Sequence, residues 1–212
     1  MTSFSAKPLV SALLAAGLAL GCASARLEPA DATQKVPNKP KAASITTDIG
    51  VMFQAEADSW VADERVRDEV TAMKITLANH GEKPVNVDYN AFELVADDGS
   101  SFRPVPPESI EIRGATRSIG LPADTIITRS SDSSVNAPNR TESEKQQIRQ
   151  RLVEQALDTA PLAPGQRVVG FVYFQRVPAS KTQITLKGRV LAPESGEPAA
   201  SAELSFQARA EH

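Results

Sequence analysis

The sequence predicts an all-β fold: an antiparallel β-sandwich of about seven to nine short strands that carries one inserted α-helix, near 142–158. Three observations lead there. Apolar and polar side chains alternate over several short stretches. Turn-forming residues separate those stretches. One segment, 106–164, breaks the alternation and contains a single helical pattern.

The chain opens on a targeting pattern. Residues 1–7 carry one positive charge, Lys7, and no acid, and Leu9 to Leu20 form an apolar run interrupted only by Ser11 and Gly17. A charged start, an apolar centre of about 7–15 residues and small residues behind it are the layout of a secretory signal peptide. A spanning helix needs about 20 apolar residues, so this run is too short to stay in the membrane. The segment closes on Leu18-Ala19-Leu20-Gly21-Cys22, which resembles the lipobox of bacterial lipoproteins. Gly21 and Cys22 match its two strictest positions, and Ala19 stands where leucine is most usual. The resemblance implies cleavage between Gly21 and Cys22. It makes Cys22, the only cysteine, the first mature residue, bearing a thioether-linked diacylglycerol and an amide-linked acyl chain such as palmitate. A thiol gives a stable thioether, and two or more chains anchor firmly where one holds only marginally. Ala23 replaces the Asp that retains enterobacterial lipoproteins at the inner membrane, which implies the outer membrane, facing the periplasm or the cell surface.

Removing residues 1–21 drops Lys7, so 22 basic residues face 26 acidic ones, a net charge of −4 over 191 residues. That balance argues against a nucleic-acid binder, which would show a basic face. Residues 22–44, with Pro29, Pro37 and Pro40 and no aromatic side chain, read as a flexible Pro/Ala/Lys tether that cannot bury enough apolar surface to order itself. Residues 45–212 read as one domain, a size compatible with a single core.

Within the domain, Ile49, Val51, Phe53 and Ala55 alternate, as do Thr71, Met73, Ile75 and Leu77 with Ala72, Lys74 and Thr76 facing the other way, then Val85, Val87 and Tyr89, and finally Ala202, Leu204, Phe206 and Ala208. Period two means one buried and one wet face. "RVVGFVYFQRV", 167–177, is apolar on both faces and reads as a central strand; 182–191 is a further strand, in which Gly188 suggests a bulge. Turns fall at 79–84, where Gly81 offers a positive φ, at 96–101, where Asp98-Gly99 is a strong hairpin signal, and at 192–198. The insertion 106–164 ends in "TESEKQQIRQRLVEQALDTA". Thr141 and Glu144 form a capping box at its start. Ile148, Leu152 and Ala156 form an i, i+4 stripe flanked by Val153 and Leu157, with Arg149 intruding, and Pro161 and Pro164 stop the helix. The helix is expected to pack across an open end of the sandwich.

"ITLANHGEKPVNVDYNAFELVADDGSSFRPV", 75–105, and "LAPGQRVVGFVYF", 162–174, together resemble bacterial extracytoplasmic immunoglobulin-like domains of the DUF4352/telokinin-like kind. The shared features are an Asn-centred turn, core aromatics and a Pro-Gly corner. The resemblance implies an immunoglobulin-like sandwich. It carries over no site residue, because such domains mostly have no assigned chemistry. The 59-residue insertion departs from their compact pattern.

No catalytic pattern emerges. His80 lies in a turn and His212 is the last residue; Met52 and Met73 could join His80 around copper, but both fit strand positions. Metal sites want several ligands in close register, so no metal and no cofactor beyond the lipid on Cys22 is expected. There is no G-x-S-x-G nucleophile elbow, and "SSDSS", 130–134, reads as a loop. Asp97 and Asp98 read as turn formers. "NRT", 139–141, matches a glycosylation acceptor that a bacterial chain would not use. Trp60 reads as a packing residue. The expectation is therefore a non-enzymatic, lipid-anchored cell-envelope binding or scaffolding module with a protein partner. The insertion 106–164 is its candidate contact surface, and long loops on rigid scaffolds commonly carry function. The alternatives are an inhibitor of a secreted or periplasmic hydrolase and an enzyme that uses carboxylates alone.

Overall fold

The computed structural model describes residues 25–57, 66, 69–112 and 137–210. In chain order the strands among the described residues are β1 (Ala25–Pro29), β2 (Lys35–Val36), β3 (Lys39–Thr46), β4 (Val51–Ala57), β5 (Val70–Asn79), β6 (Val85–Asn86), β7 (Phe92–Ala96), β8 (Ser101–Phe102), β9 (Pro161–Leu162), β10 (Arg167–Gln175), β11 (Gln183–Leu191) and β12 (Pro198–Ala210), with the helix α1 (Ala137–Gln155) between β8 and β9. One sheet runs β1-β12-β11-β6-β9, with β7 also on β11 and β8 on β7; the other runs β10-β5-β4-β3-β2. The strand pairs are antiparallel. The two sheets form a sandwich whose inner faces supply one core.

The alternation sets that core. Val51, Phe53, Ala55 and Ala57 are buried along β4 while the residues between them are half-exposed. Ala202, Leu204 and Phe206 do the same on β12. β5 lies between β10 and β4 in its sheet, and Thr76 on its other face is buried along with Ile75 and Leu77. Ile49 falls outside β4 and is 38% exposed.

The N-terminal segment corrects the expectation of a tether. From Ala25 the chain is part of both sheets: β1 pairs with β12 from Ala25↔Ala210 to Pro29↔Phe206, and β3 pairs with β4. Leu27, Ala42 and Ala43 are buried. The prolines are placed where they cost no ladder bond. Pro29 ends β1, and Pro37 precedes Asn38, whose φ of 63° makes the β2–β3 turn left-handed, as a Pro-Asn pair in a tight turn favours. Pro40 falls where the β2–β3 register shifts. Beyond β1, the Gln34 side chain takes over the edge of β12. Its amide nitrogen donates to the Glu203 carbonyl at 3.1 Å, and its amide oxygen accepts from the Ser205 N–H at 3.2 Å. Composition argued for disorder, but a strand that joins an existing sheet needs only a few apolar contacts.

Three further elements differ from the expectation. α1 spans 137–155 rather than 142–158, so Thr141 lies inside the helix and cannot cap it. Pro138 is tolerated because the first-turn N–H groups have no helical partner anyway. β10 is a terminal strand, not a central one. Val172 and Phe174 are buried on one face, and on the other the buried Tyr173 reaches the Leu152 carbonyl of α1, so the insertion covers that second face. Gly188 sits in regular register, with the irregularity at Val190/Leu191 instead. It is required for space, since a Cβ there would lie 2.9 Å from the Phe92 ring. At Gly81, likewise, a Cβ would run into the Ile49 carbonyl, and its φ is not positive.

A chain starting at residue 45 is expected to lose the cooperative thermal transition that a chain starting at residue 23 retains, as read by circular dichroism. Equal transitions would mean that β1–β3 contribute nothing to the sandwich.

Candidate interaction surface

The insertion is attached through the outer edge of β10. Residues 101–105 pass from one sheet to the other. Phe102 pairs with Leu94 on β7, and three residues later the Val105 N–H donates to the Tyr173 carbonyl at 2.7 Å. Gln175 N–H donates to the Arg103 carbonyl at 3.0 Å, and Pro104 bridges Phe174. On the other side of the insertion, Leu157 N–H donates to the Phe171 carbonyl at 2.8 Å. Gly170 makes this approach possible, because a Cβ there would fall 2.4 Å from the Leu157 Cα.

Tyr89 joins these pieces. It opens the 3-10 turn Tyr89–Ala91, whose start is capped by Asp88 accepting from the Asn90 N–H. Its hydroxyl accepts from the Tyr173 N–H at 2.9 Å and donates to the Val105 carbonyl at 3.0 Å. The Tyr173 hydroxyl in turn donates to the Leu152 carbonyl near the end of α1, at 3.2 Å. Burial pushes both phenols well above their ordinary range.

α1 therefore packs beside an edge strand rather than across an end. It buries Ile148 and Leu152, and its approach from Ile110 and Ile112 is buried too. Val153 remains 49% exposed. Between α1 and the 3-10 turn Pro107–Ser109 lies an open hollow of about 540 Å³, lined by Glu108, Gln146, Arg149, Gln150, Val153 and Glu154. Arg149 is half-buried here, and its Nε is shielded from water with no hydrogen-bond partner. A buried donor left unmet costs about 1–3 kcal/mol, so the fold alone gives no reason to keep it.

A second concavity, about 560 Å³, lies on the outer face of the first sheet. Glu93, Lys187 and Glu203 are register neighbours across three strands, Lys187 reaches Glu203 at 3.4 Å, and the Ser101 hydroxyl donates to Glu93. Arg103 and Arg189 line it too, so this is a sheet face of mixed charge.

The other sequence candidates separate. His80 is exposed in its turn, Met73 is buried in the core and Met52 lies half-exposed on the alternate face of β4. Asp97 accepts from the Thr182 hydroxyl, and Asp98 from Lys181 and Ser100. The hydrogen bond from Lys181, helped by Ser100, holds the Asp98 carboxyl well below the usual carboxylate range. Both are turn residues, with Gly99 at φ 82° behind them. The 139–141 triplet lies in the first turns of α1. Gly21, Cys22, Trp60, 130–134 and His212 lie outside the described residues. Among the described residues no group of three or more His, Cys, Asp or Glu is arranged to hold a metal, and no helix is long and apolar enough to cross a membrane. Sequence reasoning missed Tyr89 and Tyr173 as hydrogen-bonding residues. Their only signal was a phenol at a position that alternation assigned to the core.

No protein-family model matches the chain, and no curated protein matches it. One solved structure is similar, that of a "putative lipoprotein (ycdA)" from Bacillus subtilis. It is 16% identical, with a TM-score of 0.41, over 77% of this chain and 38% of that one. The chain thus spans well under half of that protein's length, and a likeness this shallow carries no functional argument.

Tyr89 and Tyr173 are the only tyrosines, so an alkaline absorbance titration should show no tyrosinate near pH 10 while the protein stays folded. The linkage has a definite sign. Both groups keep their protons in the folded state, so their contribution to stability is complete below about pH 10 and is lost as pH rises beyond it. Tyr89→Phe strands the Tyr173 N–H and should cost about 1–3 kcal/mol in urea unfolding.

Proposed function

We propose that this chain is a lipid-anchored cell-envelope module that binds a protein partner and catalyses nothing itself. The signal-type start, the lipobox-like Gly21-Cys22 and the absence of any other cysteine support the anchor. Two or more acyl chains on Cys22 would hold the chain firmly at a membrane, at about 0.8 kcal/mol per buried CH2. The outer membrane is the proposed location, on the strength of Ala23. No cofactor, metal or nucleic acid enters this reading.

The observation that carries the binding part is Arg149. Arg149 lines an open hollow on the insertion, beside exposed Val153, and its shielded Nε has no hydrogen-bond partner in the domain. A carboxylate from a partner would satisfy the guanidinium, and charge-assisted hydrogen bonds are roughly twice as strong as neutral ones. The contact surface is therefore the outer face of α1, and the partner is an envelope protein that presents an acidic side chain beside an apolar one.

Wild-type chain expressed in a bacterial host should incorporate labelled palmitate and fractionate with membranes, while Cys22→Ser should do neither; equal labelling would refute the anchor. A photo-crosslinker at Val153 should capture one envelope protein. Arg149→Glu should lose that capture and Arg149→Lys should keep most of it. Arg149→Met should lose capture yet raise stability by about 1 kcal/mol, or roughly 2–4 °C in Tm for a chain of this size. Undiminished capture by Arg149→Glu would sink the contact assignment. The captured protein's identity, structural or hydrolytic, separates a scaffold from an inhibitor.

A further inference from the structure

We infer that one end of the sandwich is held against the bilayer: the end formed by the start of β1, the 97–100 turn and the 176–182 loop. The inference rests on the lipid anchor proposed above and adds to it which surface faces the lipid.

Chain geometry sets the constraint. Cys22 and Ala25 are separated by three Cα–Cα steps of 3.8 Å, so the link spans at most about 11 Å. Ala25 is already in β1, paired with Ala210 of β12. A free tether over residues 22–44 would have reached tens of ångströms at about 3.1 Å per residue. With β1 built into the sheet, that reach is gone.

The rest of this end is tied to the same place. Ala208 N–H donates to the Thr182 carbonyl at 2.9 Å, so the 176–182 loop lies beside the end of β12. Asp97 N–H donates to the Gln183 carbonyl at 3.2 Å, and Lys181 pairs with Asp98. Val177 N–H donates to the Thr71 hydroxyl at 3.0 Å, which brings the start of β5 in the second sheet to the same end. The opposite end is equally well knit. His80 N–H donates to the Gly50 carbonyl at 2.9 Å, the Asn79 amide donates to the Leu162 carbonyl at 3.0 Å, and Ala192 closes its turn on Glu197 at 2.8 Å.

Magnitudes decide the outcome. β12 has 13 residues, or about 43 Å at roughly 3.3 Å each, several times the length of the link. However the domain tilts, the Ala25 end stays at the surface and the 79–84 and 192–197 turns are the parts free to stand away from it. Charge does not drive this apposition, since the 97–100 turn and the 176–182 loop together carry two acids, Asp97 and Asp98, and two bases, Arg176 and Lys181. The contact follows from the covalent link and is therefore insensitive to salt.

The single cysteine makes the test direct. The mature chain, residues 22–212, is coupled through Cys22 to a maleimide lipid in phosphatidylcholine vesicles, and solvent exposure is mapped by hydroxyl-radical footprinting against the uncoupled chain. Labelling of 97–100 and 178–182 should fall at least threefold, with 79–84 and 192–197 unchanged, equally at low and high salt. A 20-residue Gly/Ser spacer inserted after Ser24 should restore the uncoupled pattern. Coupling instead through Ser195→Cys in a Cys22→Ser background should move the protection to 192–197. Uncoupled-like labelling of 97–100 and 178–182, or protection that survives the spacer, would overturn the inference. Because the coupling is chemical, its result is independent of palmitate incorporation in cells, which tests the anchor alone.

Discussion

The Tyr89 hydroxyl sits between the Tyr173 N–H and the Val105 carbonyl, and the closure of the sandwich depends on that bond pair. β10 ends its sheet, and an open apolar edge strand invites pairing with other chains. Here its outward backbone groups are answered by three different segments: Tyr89 from the turn after β6, Arg103–Val105 from the sheet switch, and Leu157 from the end of the insertion. A phenol buried this deeply must satisfy both its donor and its acceptor, and Tyr89 does. The described parts of the insertion are thereby part of the domain core, where Ile110, Ile112, Ile148, Leu152 and Leu157 are all buried. It cannot act as a detachable ornament.

The same logic applies at the opposite edge. β12 would be left open without β1 and the Gln34 side chain, which stands in for a strand by accepting from Ser205 and donating to Glu203. Both edges are thus closed by segments that composition alone would leave out of the fold. The first of these also governs the proposed function, because it leaves only a short link between the anchor residue and a rigid sheet. The partner surface on α1 then sits at a fixed place relative to that link rather than on a long leash.

Much of this was legible in the sequence. Period-two alternation located β4, β5, β6 and β12, the stretch 182–191 marked β11, and the Asp98-Gly99 hairpin sits where its residues demanded. The stripe Ile148, Leu152 identified the buried face of α1, and Arg149 already stood out as a misfit within it. What could not be read depends on partners distant in sequence. The β1 and β3 segments have weak patterns of their own and are ordered by strands far along the chain. β10 looked central because its second apolar face is covered by an insertion whose position no local pattern encodes. Gly81 and Gly188 announced a conformational need, whereas their role is to leave room for a carbonyl and an aromatic ring. Tyr89 and Tyr173 looked like core aromatics, and only their placement shows that their hydroxyls matter.

Native-state hydrogen exchange at the Val105, Leu157 and Tyr173 amides, followed through low denaturant concentrations, tests the closure of β10 most directly. If the insertion is built into the core, these amides exchange only through the same global opening as Leu77 in β5, with equal free energies and equal denaturant slopes. Exchange of Val105 and Leu157 through a low-energy, denaturant-independent opening, with Leu77 still protected, would contradict the account and make the insertion a loosely attached cap.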